Sequence, residues 1–324
     1  MSTVAAFGAI MTSSTPVAMG FLVIPGAEHF GVTTGQFLIY FTLFLFTSAL
    51  MFSVTGRLMT RFGIRIVLII GGIISAAAWV AMAFAPNIYM FYFFAFLMGI
   101  GASGNNLLPA KSLIMGWHVH KRRGTVLGLA ATGAAFGGLL IGLIFPPIML
   151  AGGFVGGALG ISAMIVVCSV LTGLFLAKNP PRPGEENADE EAVHATSKAD
   201  RKKAIKGFGF VALILSIATF LFSLEGAFSS VQAAVYTSFN IGLATAGLMV
   251  SFYSICGIIS KPLLGFMHDK LGMKPLFIAL TVLYILGLPA LALSLQMGWN
   301  MTFPILAISA LSLSIPTVII PLIA

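Results

Sequence analysis

Residues 56–65 read Gly56-Arg57-Leu-Met-Thr60-Arg61-Phe-Gly63-Ile-Arg65, and 209 residues further on the chain reads Gly265-Phe-Met-His-Asp269-Lys270-Leu-Gly272-Met-Lys274. Both stretches place a basic residue before the second glycine and another two residues after it. Each leaves one long apolar run and leads into the next. The second glycine suits a tight turn, and the first lets neighbouring helices approach closely. The basic residues hold such a turn at a membrane face. Asp269 can accept hydrogen bonds from the N-terminus of a neighbouring helix.

Working outward, the 324 residues are 59% hydrophobic and only 8% charged. A soluble domain carries about 25% charged residues, so this chain has too few to cover a water-facing surface. Apolar runs long enough to cross a bilayer, roughly 20 residues each, recur at 3–24, 37–55, 66–84, 90–117, 125–150 and 154–177. After a polar stretch they resume at 208–236, 243–264, 276–295 and 301–324, which makes ten expected spans. The chain is expected to be all-α, because an open sheet leaves backbone groups unpaired in lipid. The first run is too long for a cleavable signal and lacks a basic start, so it is read as retained.

Charge fixes the orientation of these spans. Arg57, Arg61 and Arg65 follow the second span, Lys121, Arg122 and Arg123 the fourth, residues 178–206 the sixth, and Lys270 and Lys274 the eighth. The intervening loops hold no lysine or arginine. Every even exit is therefore expected on the cytoplasmic side of the plasma (inner) membrane, with both ends of the chain inside. This distribution accounts for the net charge of +8, so no nucleic-acid partner is inferred. Residues 178–206 begin with prolines, turn acidic and end basic. They read as a solvated linker between an amino-terminal six-helix half (1–177) and a carboxy-terminal half (207–324). The basic end is also suited to lying on anionic headgroups.

The paired turns resemble the signature loop of the major facilitator superfamily, which occurs once in each half. The resemblance covers essentially the whole chain through its span pattern and central linker. It implies a helical bundle of twelve spans, of which ten are present, so the sequence is read as a fragment lacking the last two. The first copy departs from the pattern at Thr60, where the aspartate usually stands. Lys121-Arg122-Arg123-Gly124 with Gly128, Gly133 and Gly137 is similar to the fourth-to-fifth-helix region of the monocarboxylate and oxalate–formate porters. Small residues spaced by four also permit close helix packing in any membrane bundle.

A formal charge within an apolar run is costly, so it usually faces a cavity. Three such residues stand out: Lys111, Glu225 and Lys261. Lys261-Pro262 resembles the Arg-Pro element in the eighth helix of monocarboxylate porters, where the cation meets the substrate carboxylate. Here lysine lacks the bidentate fork of arginine. Ser254 and Ser251 share its helix face. Lys111 lies about 9 Å from the expected cytoplasmic interface by helix rise, with Gly104 beneath it on the same face. For both lysines the alternative is a stem that snorkels to the headgroups. Glu225 begins a stripe continued by Ser229, Gln232 and Tyr236 at helical spacing. Burial favours the neutral carboxyl, which suits it to carry a coupling proton; a purely structural carboxyl is the alternative. The hydroxyls of residues 12–15 either line a cavity or bond back to their own helix.

Cys168 and Cys256 lie in apolar runs and imply neither a disulfide nor a metal site. His118 and His120 lack partners for a metal site, and no cofactor is inferred. The constellations a membrane enzyme needs are not found. The expected function is therefore transport of a small organic anion, monocarboxylate-like, by a proton- or exchange-coupled porter. A sugar or drug porter of the same superfamily and a non-transporting fragment are the alternatives.

Overall fold

The computed structural model describes residues 2–105, 109–110, 112–113, 123–177, 179 and 230–271, together with residues 282, 286 and 293. Among the described residues there is no strand, as expected for a chain whose backbone must satisfy itself in lipid. The helices are α1 (Ser2–Met11), a 3-10 turn (Thr12–Ser14), α2 (Thr15–Phe30), α3 (Thr34–Phe37), α4 (Ile39–Phe62), α5 (Ile64–Ala83) and α6 (Ile88–Asn105). They continue with α7 (Arg123–Ile165), a π-helical segment (Val166–Leu171), α8 (Thr172–Phe175) and α9 (Leu243–Leu271). Residues 230–238 are also helical.

Six of the helical stretches are long and apolar enough to cross a membrane. The longest, Thr132–Phe175, holds 44 residues, about 66 Å by helix rise and twice the hydrocarbon thickness. Gly153 divides it into two passes: its φ of 56° and ψ of −147° break the helix, a conformation that side chains with a Cβ avoid. This break falls where the sequence parts the fifth and sixth spans. Outward-facing side chains such as Phe46, Leu150, Phe175 and Ile259 are large, apolar and exposed, which suits hydrocarbon and not water. The protein is a multi-pass membrane protein.

Two expectations about the turn at residues 56–65 need adjusting. The second span runs on to Phe62 and the eighth to Leu271, so most of each quoted stretch is helix. An apolar run ends where the hydrocarbon ends, whereas a helix ends only where its backbone hydrogen bonds stop. The chain reverses at Gly63 alone, with φ of 86°. Gly56, expected to bring helices together, has nothing within 4 Å of where a Cβ would stand. Close approach falls instead to α5 and α6: a Cβ on Gly71 would lie 2.7 Å from the carbonyl oxygen of Gly101, and one on Gly101 would lie 2.5 Å from the nitrogen of Ser75.

Hydroxyls reinforce that packing. The Thr55 and Ser103 hydroxyls are 2.7 Å apart, joining α4 to α6. Ser162 donates to the Ala76 carbonyl at 2.9 Å, and Ser169 to that of Leu68 at 3.1 Å. Arg65 donates from Nε to the Gly173 carbonyl (3.2 Å) and from its terminal nitrogen to that of Leu174 (2.6 Å), satisfying carbonyls that the end of a helix leaves open. The Asn179 side chain accepts from the Arg65 backbone N–H in return. The Gly63 turn is thus tied to the end of the sixth pass. Phe30, Phe37, Tyr40, Phe91 and Phe154 pack ring against ring at the opposite, far end of the bundle.

Candidate functional site

Two features lie at the heart of the bundle. The first is a seam where helices preceding the 178–206 segment meet those following it. On the N-terminal side Gly138, Gly142 and Pro146 of α7 face Gly247, Ser251 and Ser254 of α9. A Cβ on Gly247 would clash with the Gly142 carbonyl and the Pro146 ring, and one on Gly138 would lie 2.6 Å from the Ser254 Oγ. Ser251 donates to the Leu139 carbonyl at 3.2 Å. Beside this pair, a Cβ on Gly20 of α2 would lie 2.7 Å from the Ser230 carbonyl oxygen. The contact continues toward the basic turns, where a Cβ on Gly257 would lie 3.4 Å from the Ala135 Cβ. One continuous apolar core crosses the seam, from Leu22 and Phe145 to Tyr236, Met249 and Tyr253.

The second feature is a small, partly open chamber of about 20 Å³, lined by Thr12, Thr15, Ser75, Trp79 and Asn105 among apolar neighbours. It exists because the first pass is irregular there. Pro16 has no N–H to give the carbonyl four residues back, and the helix tightens into a 3-10 turn. The Thr15 hydroxyl donates to the Thr12 carbonyl at 2.6 Å, and the Thr12 hydroxyl to the carbonyls of Ala9 (2.6 Å) and Asn105 (2.7 Å). Ser14 donates to Met11. Both readings of residues 12–15 therefore hold at once, back-bonding and cavity lining. Ser75 and Trp79 stand one turn apart on α5, fully buried, and among the described residues neither the Ser75 Oγ nor the Trp79 Nε1 has a hydrogen-bond partner. Leaving such a group unpaired costs on the order of 1–3 kcal/mol.

The residues singled out from the sequence fall at several places. Ser254 is buried at the seam, its hydroxyl donating to Val250 at 2.9 Å. Gln232 is buried, and its Nε2 donates to the Tyr236 hydroxyl at 2.7 Å while its Oε1 accepts from no group. Lys261, Gly265, Asp269 and Lys270 lie along the last turns of α9. Arg57 and Arg61 are exposed, the latter over the Phe62 ring at 5.3 Å. Thr60 donates to its own helix at the Arg57 carbonyl, 2.8 Å away; an aspartate there would accept. Lys111, Glu225, Gly272, Lys274, His118, His120, the linker apart from Asn179, the ninth span apart from residues 282, 286 and 293, and the tenth span lie outside the described residues. The structure places Ser254 against Gly138 of α7 and Gln232 against Tyr236, and leaves the basic turn at the end of the bundle. Ser75 and Trp79 were not anticipated; a serine and a tryptophan four apart within an apolar span were the available signal. Nor was it evident that Gly133 and Gly137 pack on the first pass, against Phe7, Met11 and Ser14, and only Gly138 and Gly142 on α9.

Multiple membrane passes, divided by a seam between two groups of helices, define a polytopic helical bundle. The profile of the Major Facilitator Superfamily matches residues 1–324, and the chain belongs to that superfamily. It is 29% identical over 192 residues to human monocarboxylate transporter 14, a match covering 58% of this chain and 37% of that relative. It is 26% identical over 289 residues to the multi-drug resistance efflux pump PmrA homolog of Lactococcus lactis, covering 86% of this chain and 68% of the pump. Among solved structures, the xylose transporter XylE from E. coli in a partially occluded inward open conformation superposes with a TM-score of 0.76 at 14% identity. That match covers 99% of this chain and 86% of the transporter. The chain thus spans little more than a third of the length of the monocarboxylate relative, and about two thirds of the efflux pump.

Proposed function

We propose that this protein is a secondary active transporter that moves a small organic anion across the plasma (inner) membrane, both ends of the chain described being cytoplasmic. In this reading Lys261 and Lys111 meet the anion, Ser254 and Gln232 hydrogen-bond it, and Glu225 carries a coupling proton. Residues 1–177 and 207–324 act as the two halves, joined by the 178–206 linker. The turns Gly56, Arg57, Arg61, Gly63, Arg65 and Gly265, Asp269, Lys270, Gly272, Lys274 sit at the cytoplasmic gate.

The observation that carries the reading is the seam. Two helix groups meet backbone to backbone through glycine and serine on α7 and α9, beside a shared apolar core, and in this reading that small-residue contact is where the groups part and re-form. Arg65 holds the first turn to the sixth pass, so that group can rock as one body. The unpartnered Gln232 Oε1 supports a role in binding, because a buried acceptor awaits a donor.

The test is uptake of labelled short carboxylates, with sugars as controls, into proteoliposomes holding the purified protein under an imposed pH gradient. Saturable carboxylate uptake is expected, lost in Lys261→Ala and weakened in Lys111→Ala. Glu225→Gln should remove the dependence on the pH gradient. No uptake by folded protein sinks the substrate assignment. Drug export is the second reading, favoured by the longer reach of the efflux-pump match along this chain. Export of a lipophilic cationic dye without carboxylate uptake would establish it.

A further inference from the structure

We propose that the chamber between the first, third and fourth passes is a binding site for a neutral hydroxyl-type oxygen, supplied either by an ordered water or by a hydroxyl group of the carried solute. The first source is independent of the transport reading; the second rests on it.

The lining dictates the chemistry. The Trp79 indole offers an N–H and no acceptor, so the occupant must accept a hydrogen bond. Thr12 and Thr15 have already given their protons to backbone carbonyls. They present only lone pairs to the chamber, so the occupant must also donate. The Ser75 hydroxyl, without a partner, can do either. A carboxylate cannot donate and an ammonium cannot accept. No charged side chain lines the chamber among the described residues, so an ion would go uncompensated. Water and alcohols meet both demands. Trp79 and Ser75 are 0% and 1% exposed, one turn apart on one face of α5, and both line the chamber. A water in such a small chamber would find polar groups of Thr12, Thr15, Ser75 and Trp79 around it, within the two to four hydrogen bonds that a buried water makes.

Irregular helices mark the same place. The 3-10 turn at Thr12–Ser14 borders the chamber on one side, and Ile165, at the start of the π segment Val166–Leu171, borders it on another. Such departures inside membrane helices are tolerated where the backbone lines a polar space and recur at functional sites.

Three tryptophans are present in the chain, so Trp117→Phe with Trp299→Phe leaves Trp79 as the single emitter in the otherwise full protein. Its emission in detergent would be recorded in H2O and D2O, then with glycolate and with acetate. An occupied chamber predicts red-shifted emission whose intensity changes between H2O and D2O. Thr15→Val, close in shape but lacking the hydroxyl, and Ser75→Ala should each shift the emission to the blue and reduce the solvent-isotope effect. A solvent-isotope effect with no response to glycolate identifies water. A saturable shift with glycolate but not acetate identifies a solute hydroxyl. Blue emission that is insensitive to D2O and to both acids, and unmoved by Thr15→Val, means a dry chamber and overturns the proposal.

Discussion

The α5–α6 contact and the α7–α9 contact are both made of glycine and serine, yet they are supported differently. Around α5 and α6, glycine brings backbones together while bonds from other passes clamp the assembly: Thr55 with Ser103, Ser162 to Ala76, Ser169 to Leu68, and Arg65 to Gly173 and Leu174. Bulky side chains such as Trp79, Met82 and Met98 fill the space beside it. At the α7–α9 seam the same small residues face one another across helices that precede and follow the 178–206 segment, and the Ser251 hydroxyl bonds the Leu139 carbonyl. The lesson is that small residues make contact possible, and the surrounding bonds decide whether the contact is permanent.

That contrast breaks most readily at Gly101 and Gly142. Gly101→Leu drives a side chain into the backbone at Ser75, inside a clamped group. It is expected to cost more than about 3 kcal/mol, beyond ordinary overpacking, and to deplete folded protein on thermal unfolding. Gly142→Leu meets the Ser251 hydroxyl and the Gly247 carbonyl, at the contact that the proposed transport cycle would open. It should leave the thermal midpoint much closer to that of the parent and abolish substrate uptake. Equal destabilisation by both would remove the distinction.

Cross-linking sharpens it further. A Cβ at Gly138 would stand 3.5 Å from the Ser254 Cβ, within the range a disulfide accepts. Gly138→Cys with Ser254→Cys, in a background lacking Cys168 and Cys256, should oxidise readily and stop uptake. Reduction should restore it. A cross-linked protein with unimpaired uptake would show that the seam does not open.

Smaller effects test the clamp. Arg65→Ala loses two hydrogen bonds to helix-end carbonyls and should cost about 1–2 kcal/mol in denaturant unfolding. Arg65→Lys should recover only part of it, because the ammonium lacks the guanidinium's fixed fork. Thr60→Asp should change stability by no more than about 0.5 kcal/mol, since Thr60 is exposed and bonds only its own helix. A larger change would show that an aspartate at this position finds a hydrogen-bond donor that Thr60 does not use.

By itself the sequence determined that this is a polytopic helical bundle, where its fifth and sixth passes part, and that Gly63 turns the chain. Those features follow from local composition: apolar length, clustered basic residues, and a backbone angle that only glycine adopts readily. Tertiary structure alone decided what the small residues do. Gly133 and Gly137 pack on the first pass while Gly138 meets α9, a division that depends on which helices surround α7 and not on spacing along it. It likewise decided that Gly56 brings nothing close, that Arg65 bonds a helix end over 100 residues away, and that Ser75 and Trp79 open on a polar chamber. A hydrogen bond left unmade is a relation between distant groups. No stretch of sequence carries it, because the partner that is missing belongs to the space between helices.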